Sequence, residues 1–333
     1  MKKKWMLCMA LIACAATVLA GCKKNVGTPE DNAVIEEDED EGKDKTEESG
    51  RLFGFCGVDM SNPFYETLKN SIQTELEEQG DRIMVKDPAG DASLQATQIQ
   101  ELIDAGASAV FVCPADWEEI TPALEALNEA DIPVINLDTE AKETKLVDAF
   151  VGSDNKNAGS VCGQDLVTKK PDGGKIAIIE NPTMNSINER ITGFEEAIAG
   201  SGFEVVKRIR TGNDVSGIQD EVKTLLKENP KLDAIMCGSD PIAEQVMAAI
   251  EAEERTDVLV YSVDGSPVIK KAILDGKNGM TGVGAQSPIT LGKTAVKVAD
   301  AILSGDDYDK KTHEETFFIN RDNVEMYGTD GWQ

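Results

Sequence analysis

The sequence predicts an α/β fold with two doubly wound parallel-sheet lobes. Apolar runs of strand length alternate with stretches of helical spacing, which is typical of parallel sheets covered by helices. The alternation stops at the turn Pro171-Asp172-Gly173-Gly174 and then begins again, so the architecture is repeated. A chain of 333 residues, 41% of them hydrophobic, is long enough for two domains of ordinary size with real cores.

The first unit, residues 51–79, predicts a strand, a loop and a helix. Residues 52–58 are almost continuously apolar, as in a strand covered on both faces. Asn62 then suits an N-cap and Pro63 the first helical position. The stripe predicted to be buried is Phe64, Leu68, Ile72 and Leu76. Open α/β folds bind ligands outside the carboxyl ends of their strands, so the loop after this strand is the first wall of a predicted pocket.

The other elements follow with regular turn signals. In the first lobe we expect strands at 82–86, 109–113, 132–137 and 147–152, with helices at 93–105 and ending near Ala130. Asp154-Asn155 opens a helix that runs through 161–167. After the turn at 171–174 we expect strands at 175–180, 203–209, 234–237, 258–263, 280–284 and 316–320, and helices at 187–199, 218–227, 242–252, after Pro267, and at 289–303. Loops from both lobes would then close on one ligand in a cleft.

The amino terminus predicts export and lipid anchoring. Three lysines and an apolar stretch at 5–20 form the charged and hydrophobic regions of a signal peptide, residues 1–21. The following Leu19-Ala20-Gly21-Cys22 resembles the lipobox of bacterial lipoproteins, in which the cysteine is diacylated and becomes the first mature residue. Two or more acyl chains anchor stably. The alternative is a plain signal peptide with a chance cysteine.

Residues 22–50 predict an acidic, disordered tether. They contain few apolar residues and include six consecutive acidic residues at 36–41, which repel one another and extend the chain. A flexible segment of this length holds the folded part about 30 Å from the lipid.

Composition and motifs argue against nucleic-acid binding and catalysis. The formal net charge of −28 leaves no basic stripe for phosphates. The one histidine, His313, is expected in an acidic loop, and the G-x-S-x-G, HExxH and Walker A patterns are absent. The cysteines expected in the mature domain, Cys56, Cys113, Cys162 and Cys237, show no CxxC spacing, which favours buried thiols. We therefore expect no enzyme activity, no cofactor and no metal.

Capping rules indicate which loop residues are free to bind a ligand. Three pairs place a good N-cap before a proline: Asp240-Pro241, Ser266-Pro267 and Ser287-Pro288. The residues just before these pairs are polar and have no obvious local role: Ser239, Asp264 and Gln286. Asp264 and Asp138 both end apolar strands, where a carboxylate must be solvated or hydrogen-bonded. The alternative for either aspartate is a turn residue.

Aromatic and basic residues complete the predicted site, each with an alternative. The alternative for Asn62 is a role as a helix cap alone, and the alternative for Phe64 is a role in the core alone, whereas the Tyr65 hydroxyl needs a partner. Arg190 lies one turn into a helix and is alternatively a solvated surface residue. Carboxylates, amides, an arginine and aromatic faces together suit a sugar, because hydroxyls donate and accept while a ring covers the C–H face.

Residues 51–323 resemble the type I periplasmic sugar-binding proteins, nearest the ribose-binding members. The segments that carry the resemblance are Asn62-Pro63-Phe64-Tyr65, residues 132–138, Asn188-Glu189-Arg190 with Gly193-Phe194, Ser239-Asp240, residues 263–267, and Ala285-Gln286. The resemblance implies a three-segment hinge near Asp154, Gln286 and Phe317. It implies an N-terminal lobe of 51–153 plus 287–316 and a C-terminal lobe of 154–286 plus 317–333. It further implies a sugar held at Asn62, Phe64, Tyr65, Asp138, Arg190, Asp264 and Gln286.

Three positions depart from the ribose pattern. Thr139 stands where that pattern has arginine, Asn213 where it has an aromatic residue, and Ser239 where it has asparagine. The guanidinium donor and the aromatic stacking surface of the ribose pattern are therefore missing, which argues against ribose itself as the ligand. We include all three positions among the expected ligand-binding residues.

The sequence thus predicts a monomeric, lipid-anchored solute-binding protein of an ABC importer, on the extracytoplasmic face of the cell membrane. Its expected ligand is a monosaccharide or related polyol, and its expected partners are the membrane permease and, through Cys22, the lipid bilayer. The alternative is a sensory component that presents the sugar-loaded form to a membrane kinase or chemoreceptor. Both roles use the same closed state.

Overall fold

Two six-stranded sheets with flanking helices make up residues 50–333, the part of the chain that the computed structural model describes. The predicted signal peptide, the predicted lipidation site Cys22 and nearly all of the predicted tether lie outside the described residues. The fold class expected from the sequence, two doubly wound parallel-sheet lobes, is confirmed.

The first sheet is entirely parallel. Its strands are β1 (Leu52–Cys56), β2 (Arg82–Lys86), β3 (Ala109–Val112), β4 (Val134–Leu137), β5 (Ala149–Ser153) and β11 (Lys311–Glu314). They lie in the order β11-β5-β4-β3-β1-β2. The helices of this lobe are α1 (Pro63–Glu78), α2 (Ala92–Asp104), α3 (Thr121–Glu129) and α9 (Pro288–Ser304). A 3₁₀ turn at Thr144–Leu146 precedes β5.

The second sheet repeats this plan with one antiparallel edge strand. Its strands are β6 (Gly174–Glu180), β7 (Phe203–Arg210), β8 (Leu232–Cys237), β9 (Leu259–Asp264), β10 (Met280–Ala285) and β12 (Phe317–Asn320). They lie in the order β12-β10-β9-β8-β6-β7, and β12 runs antiparallel to β10. The helices of this lobe are α4 (Asn155–Lys169), α5 (Asn185–Ile198), α6 (Ile218–Glu228), α7 (Asp240–Ala252), α8 (Pro267–Asp275) and α10 (Val324–Tyr327).

Local sequence rules explain the first strand-loop-helix unit. The Asn62 side chain accepts a hydrogen bond from the Phe64 backbone N–H, and Pro63 is the first helical residue. The predicted apolar stripe of α1 is buried, and each such side chain contributes about 1.5–3 kcal/mol when it is removed from water. These interactions hold the loop between β1 and α1 at the carboxyl end of the first sheet.

The chain passes between the two sheets three times, after β5, after β10 and after β11. The first and third crossings are hydrogen-bonded to each other. The Asp154 N–H donates to the Glu314 carbonyl oxygen at 2.9 Å, and the Thr316 hydroxyl donates to the Asp154 carbonyl oxygen at 3.1 Å. The Asn157 amide also donates to the Thr316 carbonyl oxygen. The two lobes are therefore joined by short, neighbouring segments.

The structure corrects the expected position of His313. The residue lies in β11 and not in an acidic loop, with its ring 5.7 Å from the Phe150 ring. This strand pairs only with β5, at the edge of the sheet, so its residues can be polar and it lacks an apolar signal in the sequence.

The buried cysteines agree with the prediction. Within residues 50–333, Cys56, Cys113, Cys162 and Cys237 are buried free thiols, and burial raises the pKa of Cys56 to about 12. In the same range there is no group of three or more His, Cys, Asp or Glu residues that could hold a metal ion. Within residues 50–333, no helix has the length and apolar character needed to cross a membrane.

Candidate ligand-binding site

A cavity of about 380 Å³ lies among loops from both sheets. This volume is within the range of about 300–1,000 Å³ that is typical of small-molecule sites. Its walls come from the loop after β1, the end of β4, the first turn of α5, and the residues that follow β7, β8 and β10. The site therefore lies at the carboxyl ends of parallel strands, as expected for doubly wound sheets.

The structure places nine of the ten predicted ligand-binding residues on the cavity wall. They are Asn62, Phe64, Tyr65, Asp138, Arg190, Asn213, Ser239, Asp264 and Gln286. The tenth, Thr139, is fully buried and does not line the cavity. Their contact with a ligand stays a prediction.

Arg190 is buried and bonded on several sides, so it is not the solvated residue of the alternative interpretation. Its Nε donates to the Asn155 Oδ1 atom at 2.8 Å, and its Nη1 donates to the Gly238 carbonyl oxygen at 3.0 Å. The same Nη1 lies 3.0 Å from the Asp264 Oδ1 atom, and Nη2 lies 3.8 Å from the Asp138 Oδ1 atom. One cation is thus shared by carboxylates from both lobes.

Close packing of α4 against α5 sets the position of this arginine. A Cβ atom at Gly159 would lie 1.7 Å from the Arg190 carbonyl oxygen, and one at Gly193 would lie 1.9 Å from the Lys156 carbonyl oxygen. Only glycine allows the two helix backbones to approach this closely. The approach brings Asn155, at the start of α4, within reach of the guanidinium.

Asp264 connects three elements of the second lobe. Its Oδ1 accepts from Arg190 and from the Gln286 Nε2 atom at 2.7 Å, and its Oδ2 accepts from the Asp240 backbone N–H at 3.1 Å. Its φ of 136° lies in a region that non-glycine residues rarely adopt, and these bonds hold it there. Burial raises the pKa of Asp264 above its ordinary value, and the Arg190 charge opposes the shift.

Asp240 does not have the capping role expected from Asp240-Pro241. Ser239 is the N-cap residue of α7 and Asp240 is its first helical residue. The buried Asp240 carboxylate accepts from the Ser262 hydroxyl at 2.6 Å and from the backbone N–H groups of Gly265 and Ser266 at 3.0 and 2.7 Å. It supports the turn after β9 because that turn lies beside α7 in the fold. Burial and then the Asp264 charge raise its pKa to about 7.

Asp138 and Tyr65 form the polar part of the wall in the first lobe. The Tyr65 hydroxyl donates to the Asp138 Oδ2 atom at 3.0 Å, which supplies the partner that the sequence required. The Asp138 Oδ1 atom is buried without a hydrogen-bond partner. Burial raises the pKa of Asp138 to about 6, although the Arg190 charge opposes the shift. The Phe64 ring packs edge-on against Tyr65 and Trp332, with ring centroids 5.3 and 5.9 Å apart.

Two of the positions that depart from the ribose pattern connect the lobes directly. The Thr139 and Ser186 hydroxyl oxygens lie 2.7 Å apart. The Asn213 Nδ2 atom donates to the carbonyl oxygens of Gly90 and Ala115, both at 2.9 Å. The structure therefore has the two lobes in contact around the cavity, and short side chains at these positions are used for that contact.

Several wall residues were not predicted from the sequence. Apolar ones come mainly from the second lobe: Met184, Ile187, Val215, Ile242 and Val268. Two more are acidic, Asp59 in the loop after β1 and Glu244 on α7. Glu244 follows Asp240, the first residue of α7, by four residues, and this one-turn spacing from the start of the helix is a signal that could have located it.

The fold and the site define a class of protein. Two α/β lobes, joined by three crossings, enclose a polar cavity between their strand ends, which is the architecture of two-lobed solute-binding proteins. Residues 53–307 match the family described as "Periplasmic binding protein domain", and the chain belongs to this family. The family consists of binding proteins and not of enzymes, and it implies a location outside the cytoplasm.

Individual relatives agree with this assignment. Ribose import binding protein RbsB of Bacillus subtilis (strain 168) is 30% identical over 247 residues, which cover 74% of this chain and 79% of that protein. A solved ABC transporter solute-binding protein from Mycobacterium smegmatis with bound glycerol has a TM-score of 0.80 and 27% identity, covering 85% of this chain and 99% of that one. The Caulobacter myo-inositol binding protein has the same fold, with a TM-score of 0.76 at 24% identity over 83% of this chain and 95% of that one.

Proposed function

We propose that this protein captures a monosaccharide or related polyol outside the cytoplasm and delivers it to an ABC importer. The observation that carries the proposal is that the cavity wall holds two buried acceptor atoms without a hydrogen-bond partner, the Asp138 Oδ1 and the Gln286 Oε1, beside the ion pair of Arg190 and Asp264. Sugar hydroxyls donate to such atoms, and Phe64 and Tyr65 supply aromatic surface for a C–H face.

The names of the relatives support the same ligand class. Curated relatives include ribose import binding proteins and a D-ribose/D-allose-binding protein of Pseudomonas aeruginosa. The ribose relatives are named as import proteins, so the sensory alternative is not favoured. Ribose itself is disfavoured here because Thr139 and Asn213 are used for contact between the lobes.

A hinge between the lobes gives the proposed capture its mechanism. We take the N-terminal lobe as 51–153 plus 287–316 and the C-terminal lobe as 154–286 plus 317–333. Asp138 belongs to the first lobe, whereas Arg190 and Asp264 belong to the second, so a ligand bonded to all three binds the closed arrangement best. A ligand with this difference in affinity shifts the population toward closure.

A saccharide screen tests the proposal. The purified protein is heated with pentoses, hexoses, deoxy sugars and inositols, with free amino acids as controls. A ligand present at 100 times its Kd adds about 2.7 kcal/mol to the free energy of unfolding and raises the Tm by several degrees. If no saccharide or polyol raises the Tm and none gives heat in titration calorimetry, the proposed ligand class is wrong.

Lipid anchoring at Cys22 and a monomeric state complete the proposal. The sequence motif Leu19-Ala20-Gly21-Cys22 supports the anchor. Wild-type protein should remain with membranes in high salt, and Cys22→Ala should be released or accumulate as an unprocessed precursor. A Cys22→Ala protein that is processed normally and still stays with the membrane would contradict the anchor. Sedimentation of the purified protein tests the monomer.

A further inference from the structure

The cavity wall carries more negative than positive charge. Its acidic residues are Asp59, Asp138, Glu244 and Asp264, and Arg190 is its one basic residue among the described side chains. The charge of Arg190 is already balanced by two of these carboxylates, because the guanidinium pairs with Asp264 at 3.0 Å and lies 3.8 Å from Asp138. Two carboxylates of the wall therefore have no cationic partner.

The wall also contains buried acceptor atoms to which no protein group donates a hydrogen bond. Among the described residues that line the cavity, the buried side-chain atoms without a hydrogen-bond partner are the Asp138 Oδ1 and the Gln286 Oε1, and both are acceptors. Asp138 is 2% exposed and Gln286 is fully buried. A buried acceptor without a partner costs about 1–3 kcal/mol, so the site is complementary to a ligand that donates hydrogen bonds.

Glu244 is the carboxylate best placed to meet a cation. Asp59 accepts from the Ser61 N–H within its own loop, whereas the Glu244 side chain has no hydrogen-bond or ion-pair partner among the described residues. Its side chain is half-buried on α7, and burial raises its pKa above the ordinary value. A partly desolvated carboxylate gains more from a cation than an exposed one.

We propose that the ligand of this site is a monosaccharide or cyclitol that carries a protonated amine, and that Glu244 pairs with the amine. The inference rests on the proposed function and narrows its ligand class. The hydroxyls of such a ligand donate to Asp138 and Gln286, while the ammonium supplies the positive charge that the wall lacks.

Matched pairs of ligands test the inference on the purified full-length protein. Titration calorimetry compares glucosamine with glucose, galactosamine with galactose, and an inosamine with the corresponding inositol, and N-acetylglucosamine provides a neutral derivative. We expect at least one amine to bind about tenfold or more tightly than its neutral partner, since a hydrogen bond between charged groups is worth at least about that factor. High salt should reduce the preference.

Two variants on α7 test whether Glu244 causes the preference for the amine. Glu244→Gln should remove the preference for the amine, because it keeps the shape of the side chain and removes its charge. Glu251→Gln is the control, since Glu251 lies exposed on α7 outside the cavity, and it should retain the preference.

The possible outcomes separate this inference from the proposed function. Neutral saccharides that bind as tightly as every amine would overturn the inference and leave the proposed function standing. An amine preference that persists in Glu244→Gln would overturn the role of Glu244. Failure of every saccharide and cyclitol to bind would overturn both proposals.

Discussion

Asp264→Ala tests whether one buried carboxylate organises the second wall of the cavity. The substitution removes the acceptor for Arg190 and Gln286 and for the Asp240 N–H. Arg190 then keeps Asp138 as its nearest carboxylate, with the closest atoms 3.8 Å apart. Removing one partner of a buried ion pair destabilises a protein by about 3–5 kcal/mol.

The structure favours the lower end of that range. Asp240 and Asp264 are neighbouring buried carboxylates, and the Asp264 charge contributes to the raised pKa of Asp240. Removing Asp264 relieves this repulsion and offsets part of the loss. We therefore expect the free energy of unfolding to fall by about 3 kcal/mol. Binding should weaken roughly ten- to 150-fold, because a hydrogen bond to a charged group is worth about 1.5–3 kcal/mol.

Urea unfolding and titration calorimetry with the tightest-binding saccharide measure the two effects. Asp307→Ala is the matched control, since Asp307 is exposed, and it should change stability by at most about 0.5 kcal/mol. If Asp264→Ala folds and binds as the wild type does, Asp264 is only a turn residue and the assignment of this wall is wrong.

Three further predictions concern pH, packing and closure. The pKa of Asp240 is about 7 in the folded protein against an ordinary 3.8, so its contribution to stability is present at low pH and is lost as the pH rises from about 4 to 7. Between about pH 4 and pH 7, the urea unfolding midpoint of Asp240→Asn should fall less steeply with pH than that of the wild type. An equal dependence on pH in the two proteins would contradict the assignment. Gly159→Ala should destabilise the protein by about 3 kcal/mol, because its Cβ would meet the Arg190 carbonyl oxygen. Gly217→Ala is the control and should be nearly neutral, because a Cβ at Gly217 would meet open space. Equal unfolding midpoints for the two variants would refute this reasoning. Small-angle scattering should show a smaller radius of gyration with ligand than without, and no difference would indicate a site that is already closed.

Much of the fold could be predicted because its signals are local. A strand needs a short apolar run, and a helix start needs a cap and a compatible first turn. Asn62-Pro63 and the stripe from Phe64 to Leu76 satisfy these rules within one segment, and the structure follows them. Asp138, Asp264 and Gln286 follow or end parallel strands, and ligands bind at the carboxyl ends of such strands. This rule alone, without any interatomic distance, predicts that the three residues lie at one cavity, as the structure shows.

The tertiary structure decided what those residues contact. Arg190 and Asp264 are separated by 74 positions in the chain, and their pairing depends on how closely α4 and α5 approach. Asp240 satisfies the local rule for a cap, yet the turn after β9 lies close enough in space to take its carboxylate. Thr139 contacts the opposite lobe, and Glu244 faces the cavity without a partner. Such hydrogen bonds and charges depend on distances between segments far apart in sequence, and only the packing of the two lobes sets those distances.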